Sequence, residues 1–192
     1  MTKSTTAPND ECTLFFIYCL PIMIGMAKTD AFFIRAQVSP NGTTFEQTSV
    51  DLGAYVDALG KSVLRIHNIS VQYGGPTSTF GVTAPAGIAS TAFQLTTQSQ
   101  AAMVDAFDKS VIATGKIAGG NESGAATLQF VTESLDVAPQ HWTKGYLVGV
   151  EQIYLGTDSL NNAFCDDITI VMECTVETLS QSAAMALALS QQ

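Results

Sequence analysis

"SVLRIHNISVQY", residues 62–73, decides how the rest of the chain is read. Leu64 and Ile66 alternate with Arg65 and His67, which is the period-two pattern of a strand with one buried face. Ile69, Val71 and Tyr73 continue the alternation, but on odd numbers where the first pair were even. A slip of one residue would turn every later side chain to the wrong face. The pattern survives only if an extra residue is absorbed near His67–Asn68, as in a β-bulge or a sharp strand bend. Strands that bend in this way occur where two packed sheets meet at a corner. Arg65 and His67 then face outward, and Asn68 tolerates the unusual backbone. His67 is expected to be a satisfied polar residue at the bend; the competing role is that of an acid–base group.

Upstream, "AFFIRAQV" (31–38) sets Phe32, Ile34, Ala36 and Val38 on one face and Phe33, Arg35 and Gln37 on the other. The turn formers Pro40, Asn41 and Gly42 follow, then a second strand in "FEQTSVDL" and a turn or short helical link in "GAYVDALGK". Downstream, "STAFQLTTQ" (90–98) alternates through Phe93 and Leu95. Met103, Val104, Phe107 and Val111 have helical spacing and predict a short helix. "GGNESGAA" (119–126) reads as an exposed loop, "ATLQFVTES" (126–134) as a strand with Leu128 and Phe130 inward, and "DVAPQHWTKG" as a loop carrying the only tryptophan, Trp142. "YLVGVEQIYLG" (146–156) is apolar on both faces and predicts a central, doubly covered strand. "DITIVMECTVE" (167–177) alternates most regularly: Ile168, Ile170, Met172, Cys174 and Val176 inward, Asp167, Thr169, Glu173 and Glu177 outward. "TLSQSAAMALALSQQ" predicts a helix capped by Thr178 or Ser180 and docked on a neighbour. Seven to eight short strands, one inserted helix and a helical tail define an all-β, antiparallel sandwich.

Three segments follow: residues 1–25, a sandwich domain over 26–180 and an apolar tail over 181–192. "CTLFFIYCLPIMIG" (12–25) is too short for a membrane-spanning helix, which needs about 20 apolar residues. Residues 1–25 are expected to be upstream translation before a true start at Met26, a signal or a membrane-touching peptide, the remaining alternative being an ordinary folded segment.

The chain has 192 residues, 46% hydrophobic and 13% charged, with net charge −9. The charged share is about half the roughly 25% of an average domain. Small neutral polar residues fill the gap, which suits close packing against neighbours. The eight basic residues are scattered; a nucleic-acid binder clusters them against phosphates, so no direct nucleic-acid contact is expected.

No catalytic motif is present, and no catalytic, cofactor-binding or metal-binding residue is assigned. Cys12, Cys19, Cys165 and Cys174 lack the tight pairing of zinc ligands, and a set with His67 and His141 would draw on distant segments. Asp166–Asp167 either binds calcium or solvates a strand end. Glu133, Glu151 and Glu173 could supply paired acids for glycoside hydrolysis only if they share a cleft. His141–Trp142 is either a sugar platform or a loop anchor. Asn41, Asn68 and Asn121 stand in N-x-[ST] triplets, which matter only in a secreted chain.

"AFFIRAQVSPNGTTFEQTSVDLGAYVDALGKSVLRIHNISVQY", "AMVDAF", "GYLVGVEQIYLG" and "DDITIVMECTVETL" together resemble the single jelly-roll major capsid (coat) protein of a tailless icosahedral virus. The resemblance implies a structural protein of the virion that self-assembles as a homo-oligomer, without catalysis or cofactors. Its partners would be copies of itself, other capsid proteins and an internal membrane. The arginine-rich arm of coats that package single-stranded genomes has no counterpart here, which fits a shell that does not touch its genome. The alternative of another class is a secreted carbohydrate-binding or adhesin-like β-sandwich domain using Trp142 and Asp166–Asp167. A β-sandwich hydrolase is a third.

Overall fold

The computed structural model describes residues 28–57, 61–77, 88–121, 128–131, 141–160 and 165–192. The leader over 1–25, with Cys12 and Cys19, and Glu133 lie outside the described residues. So do the side chains of Leu128 and Phe130, and most of the "GGNESGAA" stretch.

Nine strands and one helix follow in order: β1 Phe32–Val38, β2 Glu46–Asp51, β3 Ser62–Tyr73, β4 Ile88–Thr96, β5 Val111–Asn121, β6 Leu128–Val131, β7 His141–Val148, β8 Gln152–Leu160, β9 Ile168–Thr178 and α1 Gln181–Ser190. They form a four-stranded sheet ordered β1-β9-β3-β7 and a five-stranded sheet ordered β2-β8-β4-β5-β6. Every pairing is antiparallel. With β6 set aside, neighbours in sequence alternate between the sheets except at the β4–β5 hairpin, as in a hairpin rolled upon itself. This is the order of a jelly roll, two Greek keys wrapped into one sandwich.

The core lies between the sheets. Ile168, Ile170, Met172 and Cys174 of β9 meet Phe93 and Leu95 of β4 and Ile153 and Leu155 of β8 in one buried cluster. Burying each such side chain stabilises the fold by roughly 1.5–3 kcal/mol. The alternation expected of β1 is present, with Phe33, Arg35 and Gln37 exposed opposite Phe32, Ile34 and Ala36. The slip in β3 is a bulge: Ile66 pairs with Cys174 and Asn68 with Glu173, leaving His67 as the extra residue.

Four features differ from the sequence expectation. Among the described residues there are nine strands rather than seven to eight. The helix expected around residues 103–111 is a loop with turns. Buried Gln94 holds it open, its amide donating to the Ala102 carbonyl (3.3 Å) and accepting from the Val104 N–H (2.8 Å). Asp108 then caps a local turn by accepting from the Ser110 N–H (2.8 Å) and hydroxyl (2.7 Å), competing with helical bonding. The apolar run 146–156 is not one strand. It leaves the four-stranded sheet at Val148, turns through Gly149–Glu151 and enters the five-stranded sheet at Gln152. Finally, β5 runs on through Asn121, so the first glycines of the supposed loop belong to a strand.

The tail forms the expected helix, capped by the Ser180 hydroxyl accepting from the Ala183 N–H. It docks on its own chain at the β7–β8 corner, burying Ala184 and Ala188. Gln191 satisfies the backbone groups that the corner frees: it accepts from the Gly149 N–H (2.8 Å) and donates to the Leu147 carbonyl (2.7 Å). Thr97 donates to the Gln191 carbonyl at 2.9 Å. Met185 and Leu189 remain exposed.

Candidate functional site

The outer face of the four-stranded sheet carries the densest polar arrangement. Arg65 of β3 reaches across to Glu177 of β9 with both arms of its guanidinium, Nε donating to Oε1 (2.7 Å) and Nη2 to Oε2 (2.6 Å). Nη1 donates to the Lys144 carbonyl of β7. Lys28 approaches Glu177 at 3.6 Å from the outside. Glu177, expected to face solvent, is therefore on the outward face but buried, its charge covered by Arg65 and by the segment leading into β1. The bidentate Arg65 bonds, above all, hold its carboxyl below the usual carboxylate range.

Next to this pair the β3–β7 ladder is broken on both sides. Asn68 pairs with His141 and Ile66 with Tyr146. One residue, His67, lies between the β3 partners, while Trp142–Gly145 lie between the β7 partners. Gly145 has φ +74°, and a Cβ there would lie 2.6 Å from Cγ of Arg65, so this excursion requires glycine. The gap is a recess of about 440 Å³ lined by His67, Asn68, His141, Trp142, Thr143 and Glu173. The two histidines of the chain thus line one recess, although they lie far apart in sequence. His67 is satisfied at the bend, as expected, with Nε2 3.0 Å from the Thr175 hydroxyl. Burial, then the charge of Lys28, lowers its pKa, against an opposing pull from Glu173.

His141 and Trp142 sit on a strand rather than in the expected loop; Trp142 is partly buried, packs against the core as an anchor would and lies 5.8 Å from the Tyr146 ring, and it also lines the recess. A period-two reading could not find this arrangement, because the β7 excursion has no periodicity; Gly145 was the available cue.

The other candidate residues are dispersed. Cys165 and Cys174 are buried, and burial pushes the Cys174 thiol up to about 12. Among the described residues no group of three or more His, Cys, Asp or Glu side chains could hold a metal ion. Asp167 accepts from the Ser39 hydroxyl at 2.6 Å, tying the start of β9 to the end of β1. Glu151 lines a separate recess of about 520 Å³ at the β7–β8 corner, so Glu151 and Glu173 do not face one cleft. Asn41 is exposed and donates to Glu46 (2.9 Å), Asn68 lies in the bulge and Asn121 ends β5.

Strand order and sandwich together define the class: an all-β jelly roll. No protein-family model matches the sequence, and no curated protein matches it. Among solved structures, one described as Desmodium yellow mottle tymovirus is similar over 93% of this chain and 96% of its own, at 14% identity and a TM-score of 0.35. So loose an overlap bears no weight, and the class rests on the strand order alone.

Proposed function

We propose that this protein is a structural capsid subunit that builds a virion shell by binding copies of itself, with no substrate turned over. The observation that carries this is where four of the five exposed large apolar side chains among the described residues lie, Phe33 on the outer face of β1 being the fifth. Tyr55 follows β2, Phe107 lies between β4 and β5, and Met185 and Leu189 lie on α1. The register places the end of β2, the start of β3, the end of β4, the start of β5 and the end of β9 together. These four residues therefore crowd one end of the sandwich. Phe107 is wholly exposed and Leu189 is 67% exposed. Large apolar side chains left exposed at one end favour an interaction site there, and stable protein interfaces bury about 1,200–2,000 Å².

Shell contacts with copies of itself, and with other capsid proteins, would cover this end. The proposal includes a place in the virion, an internal membrane as a further neighbour, and no direct contact with nucleic acid, since the basic residues are few and scattered.

Light scattering and negative-stain microscopy of the full chain test the proposal. Capsomers or shells are expected, reduced to smaller species by Phe107→Ser combined with Leu189→Ser. A full-length protein that stays monomeric at high concentration, at physiological salt, would refute it.

A further inference from the structure

The broken β3–β7 ladder calls for its own explanation. A bulge costs ladder hydrogen bonds, and bulges concentrate beside functional sites, where they re-aim side chains. Here two irregularities face each other and open one recess. The walls are held from beneath: Arg65 fixes the Lys144 carbonyl of the excursion and is itself clamped by Glu177. The recess is thus built into the sheet rather than left between loops.

Its chemistry narrows the ligand. One carboxylate (Glu173), one amide (Asn68), one hydroxyl (Thr143), two imidazoles and one indole line it. An anion such as a phosphate would face Glu173; of the nearby cations, Lys28 and Arg65 are engaged by Glu177, and exposed Lys144 is not among the residues that line the recess. A metal ion lacks a ligand set among the described residues. What remains is a neutral ligand rich in hydroxyl groups, with an apolar face for the indole.

We propose that this recess binds a neutral saccharide, with a pyranose ring against Trp142 and its hydroxyls bonded by Glu173 and Asn68. Aromatic rings pack on the C–H face of a sugar. A carboxylate accepts two hydroxyl protons through charge-assisted bonds, the stronger kind. Burial lowers the pKa of His67, which favours its uncharged form beside Glu173. The site does not depend on shell formation and stands or falls separately from it.

Trp142 is the only tryptophan, so its fluorescence reports on this recess directly. The full chain is titrated with neutral monosaccharides (glucose, galactose, mannose, N-acetylgalactosamine), with sialic acid, with inorganic phosphate and with zinc. A saturable change in Trp142 emission is expected with at least one neutral sugar and with none of the other three. Glu173→Gln should raise its Kd about tenfold, as for loss of a charged hydrogen bond, with particle size unchanged by light scattering. Should Glu173→Gln reduce solubility, Asn68→Ala gives the second reading of the same contact. The proposal is overturned if no neutral sugar changes the emission, if phosphate or zinc competes with or replaces the sugar, or if both variants bind with unchanged Kd.

Discussion

Removing the charge of Glu177 tests how the outer face of the four-stranded sheet is held. Glu177→Gln keeps the shape but ends the bidentate pair and turns an amide N–H toward the Arg65 guanidinium. The side chains are 8% and 19% exposed, between the two regimes known for ion pairs. Exposed pairs contribute about 0–1 kcal/mol, and breaking a fully buried pair costs about 3–5 kcal/mol. Two short charge-assisted bonds in a mostly covered site point to about 2–3 kcal/mol. Lys28, half exposed at 3.6 Å, adds little. For a chain of this size each kcal/mol moves the Tm by about 2–4 °C, so thermal unfolding followed by circular dichroism should show a fall of roughly 5–10 °C at neutral pH. The pH dependence is the sharper check. Glu177 has a depressed pKa in the folded state, so its contribution is complete above its ordinary value of 4.5 and is lost as pH falls toward the depressed value. The gap between wild type and variant should close in acid. A gap under about 0.5 kcal/mol at pH 7, the size of an ordinary surface change, or a gap unchanged down to pH 3, would refute this account.

On β9, Ile170→Asp should cost several kcal/mol by burying an unpaired carboxylate, and Thr169→Asp roughly 0.5 kcal/mol or less, in denaturant unfolding; equal costs would mean that both faces are covered. Gly149→Ala would bring a Cβ within 3.0 Å of Leu187 and 3.1 Å of the Ala188 nitrogen, and should cost about 1–3 kcal/mol by overpacking, read as increased proteolysis of the tail helix. Gln191→Ala strands the Gly149 N–H and the Leu147 carbonyl and should cost about 1–3 kcal/mol, with faster amide exchange at Gly149. His67 has a lowered folded pKa, so the stability from its neutral form should decline as pH falls from 6.5 toward that lower value; His67→Gln should flatten that part of the stability–pH curve.

The sandwich was legible wherever one strand face is dry and the other wet. Ile168 to Val176, Phe32 to Val38 and the slip at His67 each kept their period, because the pleat forces it. Legibility failed where tertiary partners replaced local ones. Nothing local in Met103 to Val111 announces that Gln94, on another element, would take up the Ala102 and Val104 backbone groups. Tyr146 to Gly156 reads as one apolar run because Val148, Val150 and Ile153 are all buried, though on both sides of a corner. The recess was hidden for the same reason. His67 and Glu173 become neighbours of His141 through register, and register across some hundred residues is not written in any one segment.

The strand order also dictates when the sheet can form. β9 lies between β1 and β3, pairing Ala36 with Ile170 on one side and Val71 with Ile170 on the other. Its residues are made about a hundred positions after those of β3, and ribosomes add roughly 5–20 residues per second. For about 5–20 s β1 and β3 therefore wait without the strand that separates them. Such non-local pairing slows folding, and the apolar faces of Ile34, Ile66 and Ile69 stay open to wrong strands meanwhile. Nascent chains on neighbouring ribosomes are the nearest source of those strands, so yield of the folded protein should depend on how densely its message is translated.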